Sequence, residues 1–455
     1  MRIIIVGGGV VGYSLAEHLL KDKHHLTLIE TDPHLCRTIS EKLDVQILNG
    51  SGSSPTLLKE AGLARADMVL AVTPNDEVNI VVCSIAAQYN VERRITRLRS
   101  KEFAETSDLV NLQNLGITSV IYPEQALVNH ILQFLQTPCA IESANFERGN
   151  ILMRGYRVTE KMELAYKTPR EIRQLIAPDV VLFSALVRRG VGMIPNGETK
   201  IEPGDVLFSL FPLKSMPRFL RLMGIEKKDS SKVIVTGDSY STLELGRALD
   251  KTENHVTLVD PNLEHANMAA GMFDRIEVLH GECTDPDLLS DLNVDQASFF
   301  MAVSSAADYN MLSALLAKTE GAHEVIATTI ESRHDRLFNS IGIDHVINPR
   351  LTTAREILET ISRGHIGAVV KLSDVDIEAV RFIVDPESSM AGSKVKKMAN
   401  KLKRGSIIGV IVREDNMILP DGETVIDAND HVIMITHHKN LPIISKLFKP
   451  RRKSK

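Results

Sequence analysis

Apolar residues along this chain fall in short runs that alternate between strand and helix periods. Arg2 to Val6 reads RIIIV, an unbroken β-branched run suited to a strand buried on both faces. Val10 to Lys21 follows with Leu15, Leu19 and Leu20 at helical spacing, and a second strand is predicted from Leu26 to Ile29. The alternation continues. Helices are expected over Pro33 to Leu43, Pro55 to Ala61, Val78 to Gln88 and Gln125 to Leu135. Strands are expected over Val45 to Leu48, Met68 to Val72, Ile95 to Leu98 and Val120-Ile121. Strands alternating with helices imply a parallel sheet covered on both faces, a doubly wound Rossmann-like domain.

From about Ala140 the pattern changes. Strands are expected over Val180 to Val187, Val191 to Ile194 and Val206 to Phe211, separated by the turns Pro195-Asn196-Gly197-Glu198 and Pro203-Gly204-Asp205. This reads as a small α+β module, and polar Glu226 to Lys232 as a linker.

The chain then begins again. Val233-Ile234-Val235-Thr236-Gly237 repeats the first strand and its glycine, and His255 to Asp260 repeats His25 to Glu30, about 230 residues on. Gly281 to Pro286 answers Gly50 to Pro55, Asn310 answers Asn79, and Val346 to Pro349 resembles Val120 to Pro123. Pro420-Asp421-Gly422-Glu423-Thr424 through Asp430 repeats Pro195-Asn196-Gly197-Glu198-Thr199 through Asp205. Offsets this steady identify a tandem duplication of a Rossmann-like doubly wound parallel-sheet domain followed by a small α+β domain. The expected boundaries are 1–135 and 140–224 for the first copy, 232–358 and 366–449 for the second, and a basic tail over 450–455.

The candidate chemistry lies at the first strand's end. Gly7-Gly8-Gly9-Val10-Val11-Gly12 is a G-x-G-x-x-G turn between strand and helix. Gly7 permits the tight turn, Gly9 lets backbone approach a diphosphate, and Gly12 lets the helix pack on the strand. The helix N-terminus offers unpaired N–H groups and the favourable end of its dipole. Glu30, about 20 residues on, can accept hydrogen bonds from an adenosine ribose, and its charge repels a 2′-phosphate. Loops at Gly50–Gly52 and Thr73–Pro74 fall at the same ends of later strands. Arg97 and Arg99 have two open readings, a phosphate contact or an ordinary solvated or salt-bridged arginine. In the second copy Ser239 replaces Gly9, Thr242 replaces Gly12, and Thr328 and Ile330 replace the two arginines. Gly237 and Asp260 keep the turn glycine and ribose acid, so that half is expected to be chiefly structural, with residual adenosine binding left open.

Composition narrows this little. The 455 residues are 44% hydrophobic and 24% charged with net charge −5, which favours ordinary globular domains and gives no general pull towards nucleic acid. Lys446, Lys449, Arg451, Arg452, Lys453 and Lys455 crowd the end, and read as a solvated tail in preference to a contact with anionic lipid or a partner. Cys36, Cys83, Cys139 and Cys283 are dispersed, which indicates neither zinc nor a disulfide framework and suits a reducing compartment. His437-His438 would face opposite ways on a strand, against a shared metal role. No signal peptide is recognisable, and no apolar run approaches the roughly 18 residues that span a bilayer.

The GGGVVG start, Glu30, the NGSGS and AVTPNDEVN stretches and PNGET through EPGDVLF resemble the regulator-of-potassium-conductance family, here with two units fused. The resemblance covers nearly the whole chain. It implies a cytoplasmic protein, peripheral on the inner face of the cell membrane, that binds NAD(H) or ATP/ADP. It also implies a homo-oligomeric ring that gates a membrane-embedded potassium transport subunit. Its ligand contacts, carried over by position, would be Gly7, Gly8, Gly9, Val10, Val11, Glu30, Ser51, Gly52, Thr73, Pro74 and Arg97. A nicotinamide-dependent oxidoreductase is the main alternative, but the small modules offer no convergent acid–base set. A nucleotide-sensing regulator without a transport partner is another. A redox-sensing repressor would need a recognition helix and a basic face, and neither is evident.

Overall fold

The computed structural model describes residues 1–21, 24–100, 103, 111–225, 230–329, 338, 341–361, 366–372, 375–402, 405–414 and 416–450. Ile330, most of the expected 226–232 linker and tail residues 451–455 lie outside these. The chain forms two compact units, residues 1–131 with 230–360 and residues 132–229 with 361–455.

In the first unit, strands β1 (Arg2–Val6), β2 (His25–Glu30), β3 (Gln46–Asn49), β4 (Met68–Ala71), β5 (Arg93–Arg97) and β6 (Ser119–Ile121) alternate with helices α1 (Val10–Lys21), α2 (Pro33–Ser40), α3 (Pro55–Glu60) and α4 (Asp76–Gln88). The sheet order is β3-β2-β1-β4-β5-β6, parallel throughout. Connections therefore reverse direction between β1 and β4, the switch point where doubly wound sheets open a crevice. Ile3 to Val6 and Met68 to Ala71 are all buried, as expected of strands covered by helices on both faces. Helix α5 (Pro123–Gln136) closes the domain.

The second copy repeats this architecture. Its strands are β12 (Lys232–Thr236), β13 (His255–Asp260), β14 (Glu277–His280), β15 (Phe299–Ala302), β16 (Glu324–Thr328) and β17 (His345–Ile347), ordered β14-β13-β12-β15-β16-β17. The closing helices of the two copies meet within this unit. His130 Nδ1 lies 3.4 Å from Thr352 Oγ1, and Arg93 donates to the Thr360 carbonyl at 2.9 Å. Burial, with Arg355 and His345 nearby, pushes the His130 imidazole down to about 3, so this junction is built around a neutral histidine.

In the second unit, β7 (Glu142–Phe146), β8 (Ile151–Arg157), β9 (Leu182–Arg188), β10 (Val191–Met193) and β11 (Val206–Pro212) form a sheet ordered β10-β9-β11-β8-β7. Its counterpart contains β18 (Ile366–Lys371), β19 (Ile377–Ile383), β21 (Ser406–Arg413), β22 (Asn416–Ile418) and β24 (His431–His437), while β20 (Ser393–Lys394) and β23 (Val425–Ile426) pair separately. One face of each sheet joins a shared core, with Phe146, Met153, Phe208 and Leu210 against Ile377, Val410, Ile433 and Ile435. The other face of each packs on its own helices, as where Phe382 stacks on Phe448 at 4.4 Å. Glu147 ties the copies together, its carboxylate accepting from Arg381 Nη1 at 3.2 Å and His431 Nδ1 at 2.8 Å.

Two strands of the first small domain, β7 and β8, are absent from the sequence reading. Their sequences ESANF and ILMRGYR break the apolar alternation at Asn145, Arg154 and Gly155. Asp205 and Asp430 are also more than turn residues. Asp205 accepts both Nε and Nη2 of Arg188 at 2.8 Å, and Asp430 takes the same fork from Arg413 at 2.9 and 2.7 Å.

Candidate nucleotide site

The C-terminal ends of β1, β2 and β4 bring the first-copy loops together. At Gly7, with φ of +104°, an added β-carbon would stand 3.0 Å from the Thr73 backbone nitrogen. Gly8 abuts Glu30 and Ile39, and Gly52 is pressed against Val6, 2.0 Å from where its own β-carbon would lie. Gly12 is the tightest point, where a β-carbon would stand 1.8 Å from the Gly7 carbonyl oxygen. Gly9 is the opposite case, with no heavy atom within 4 Å of a β-carbon there. It is the open position in an otherwise packed turn.

Gly9 is also the N-cap of α1, since its carbonyl accepts the Tyr13 N–H at 2.8 Å. The N–H groups of Val10, Val11 and Gly12 have no acceptor within the helix, and glycine offers no side chain to take them. The arrangement suits a diphosphate.

Glu30 is held by its own loop. Its Oε1 accepts from Thr31 N at 2.7 Å, Thr31 Oγ1 at 3.0 Å and Asp32 N at 3.0 Å, while among the described residues Oε2 accepts only Gly8 N at 2.6 Å. A carboxylate has about four lone-pair positions, two on each oxygen, so Oε2 retains room for a ribose hydroxyl. Burial works against the charge, but the hydrogen bonds from Asp32, Gly8 and Thr31 outweigh it and hold this carboxyl below its usual range.

Ser51 and Pro74 are exposed on the same rim, Ser51 Oγ lying 2.8 Å from Ser53 Oγ. Arg97 is half-buried with Nε unpartnered; burial first, then neighbouring Arg99, pushes its guanidinium below the usual value. Arg99 instead leans on Glu124, Nε to Oε1 at 3.8 Å.

One residue that positions this site enters the sequence reading only as a repeated position, without a role. Asn79 is fully buried and uses its whole amide: Oδ1 accepts Thr73 N and Oγ1, and Nδ2 donates to the Thr73 and Arg97 carbonyls at 2.7 to 3.0 Å. Asn310 makes the same clamp between Ser304 and Thr328, and its recurrence at the repeat offset was the available signal.

The second copy spends these groups internally. Ser239 caps its helix (Tyr240–Leu249) through a capping box with Thr242, and both hydroxyls donate to the Val303 carbonyl. A side chain fits at Thr242, so the close helix–strand approach at Gly12 is not reproduced. Gly237 keeps a positive φ of +146°. Asp260 is buried, accepting from Asn262 N at 2.8 Å and contacting His265 Nδ1. The Tyr309 hydroxyl bridges Thr236 Oγ1 and Cys283 N at 2.7 and 3.1 Å. Among the described residues no cluster of metal-ligating side chains occurs, and His437 and His438 take separate partners, the Asp376 carbonyl and Glu378.

Paired doubly wound sheets, one with an open glycine turn and one closed by its own hydroxyls, define a tandem protein of the dinucleotide-binding fold. The chain belongs to the TrkA-N domain family, which matches residues 3–123 and 233–349; the TrkA-C domain matches 379–449. It is 27% identical to the Trk system potassium uptake protein TrkA of Azorhizobium caulinodans over 99% of both chains. It is 28% identical to the protein of that name from Haemophilus influenzae, again over 99% of both. A solved structure of the GsuK channel bound to NAD shares the fold, with a TM-score of 0.61 at 17% identity, covering 98% of this chain and 78% of that one.

The copies' difference yields a test. Restoring glycine with Ser239→Gly and Thr242→Gly together is expected to lower stability by about 1 kcal/mol, a few tenths from the cap and the rest from a glycine inside the helix. It is not expected to add a nucleotide site, because Asp260 and Tyr309 remain engaged. Calorimetric stoichiometry decides, and a second equivalent of bound nucleotide would contradict it.

Proposed function

We propose that this chain is the nucleotide-binding regulatory subunit of a potassium uptake system, gating a membrane-embedded potassium transport subunit in response to NAD(H) or ATP/ADP. The end-to-end match to the curated potassium uptake proteins carries the reading, because it includes both duplicated units. The ligand site would be Gly7 to Gly12, Glu30, Ser51, Gly52, Thr73, Pro74 and Arg97 of the first copy, with the second copy chiefly structural. No helix among the described residues is long and apolar enough to cross a membrane, so transport itself falls to a partner. The chain works at the inner face of the cell membrane as a homo-oligomeric ring, to which two fused units contribute two similar interfaces. Ligand binding shifts the ring only through differential affinity for its two arrangements.

Deleting the chain from its host is expected to impair growth at low external potassium. Glu30→Ala is expected to change the nucleotide response of uptake while leaving assembly and co-purification of the membrane subunit intact. NADH is expected to be returned unchanged. A chain that stays monomeric by light scattering, with uptake unaffected by its deletion, sinks the reading.

A further inference from the structure

The first small domain buries a charge that no ion pair among the described residues balances. Arg154 lies on β8 with no exposed surface, in the face of the sheet that packs Leu152, Tyr156 and Phe219. Its Nε donates to Thr137 Oγ1 at 2.8 Å, and Nη1 donates to the Ala144 and Met153 carbonyls at 2.7 and 2.8 Å. Nη2 has no partner, and no ion pair to Arg154 occurs among the described residues. Burial, opposed only in part by neighbouring Tyr156, pushes the guanidinium down to about 10.

The unused donors fall in one row. Arg154 is directly opposite Ser143 on β7 and Ser209 on β11, so the three side chains share one face. Ser143 and Ser209 are buried, and each hydroxyl also lacks a hydrogen-bond partner. An unpartnered guanidinium N–H in one cross-strand row with two unpartnered hydroxyls, inside an apolar core, makes a set of groups that an anion would satisfy. Asn145, two residues along β7 from Ser143, has its Oδ1 buried and unpartnered, and an amide of that orientation can be reversed to add a donor.

The fold itself does not require this row. In the second small domain the equivalent register positions are Val369, Val380 and Met434. Val380 and Met434 are fully buried in an apolar core with Phe382 and Phe448. The same three register positions are thus apolar in one copy and carry a buried guanidinium between two serines in the other.

We propose that the first small domain holds a single small monovalent anion, of the size and charge of chloride, on Arg154 Nη2 and the hydroxyls of Ser143 and Ser209. The anion is the counter-ion that the buried guanidinium otherwise lacks. Because Thr137 Oγ1 receives Arg154 Nε and donates to the Gln133 carbonyl at 2.8 Å, the same side chain that holds the anion fastens the end of α5.

Bromide exchange into crystals of the full chain, read by anomalous scattering, tests the site directly. One bromide peak is expected in hydrogen-bonding distance of Arg154 Nη2; its absence, or water alone there, overturns the proposal. In solution, the melting temperature of the wild-type chain is expected to rise with chloride or bromide relative to gluconate or sulfate at matched ionic strength. Arg154→Met and the double variant Ser143→Ala with Ser209→Ala are expected to lose that halide-specific rise. Should Arg154→Met fail to fold, the serine pair, which retains the guanidinium, decides. An equal rise in sulfate, or a halide response unchanged in the serine pair, overturns the assignment.

Discussion

Gly9→Val is expected to reduce nucleotide affinity by roughly 100-fold or more, about 2.7 kcal/mol, while leaving the protein folded. The space around Gly9 carries the argument. No heavy atom stands within 4 Å of a β-carbon there, and Gly9 is absent from the positive-φ glycines, so valine fits the ligand-free backbone. Its cost to folding is limited to a poorer N-cap, about 1 kcal/mol. The same branched side chain occupies the space through which a diphosphate must reach the N–H groups of Val10, Val11 and Gly12. Ser239→Val in the second copy removes a cap at similar cost to stability but is expected to leave affinity unchanged. Calorimetric titration of both variants with NADH, NAD, ATP and ADP makes the comparison, and equal losses from the two would refute a first-copy site.

Gly12→Ala is expected to act on the fold before it acts on the ligand. The added carbon would meet the Gly7 carbonyl oxygen at 1.8 Å, with the Gly7 carbonyl carbon at 3.0 Å and Ile5 Cγ2 at 3.5 Å. These first two obstacles are backbone, so no rotamer change relieves them, and α1 must move away from β1. A cost of about 3 kcal/mol is expected, the upper end of ordinary overpacking. Thr242→Ala, at the equivalent position, removes hydroxyl hydrogen bonds and one buried methyl group without adding any atom, and is expected to cost about 1–2 kcal/mol. A chain of several domains need not melt in one step, so backbone hydrogen exchange over residues 2–21 and 232–249 is the suitable measurement. A Gly12→Ala protein with unchanged protection over 2–21 would show that the glycine turn is not a packing constraint.

Together the two variants separate the roles that one motif combines. On the proposed reading Gly9 is kept small for a ligand, whereas Gly12 is kept small by the packing of the protein itself. In the second copy both pressures are relaxed: Ser239 and Thr242 satisfy the helix end themselves, and the hydroxyls reach the Val303 carbonyl. A helix N-terminus left bare in one copy and capped in the other is the physical difference between an available site and a structural element.

Much of this organisation could be read from residue order. The buried parallel strands show as β-branched runs because both their faces are covered. The duplication shows because turn chemistry and strand composition recur at a steady offset. The glycine turn, Glu30 and the Thr73 loop are legible because each acts where a strand ends, close in sequence to the structure that places it. Other features depend on partners far apart in the chain. Asn79 links Thr73 to Arg97, and Asp205 and Asp430 take arginine forks from another strand. Asp260 looks like the counterpart of Glu30 until folding buries it beside His265. Strands β7 and β8 escaped because Arg154 and Gly155 interrupt the alternation, and only the neighbouring strands show that Arg154 shares a row with Ser143 and Ser209. Local periodicity and turn chemistry thus determined the elements, their order and the open glycine turn. Burial and cross-strand pairing, which depend on distant residues meeting, decided which polar groups remain available and which are consumed by the fold.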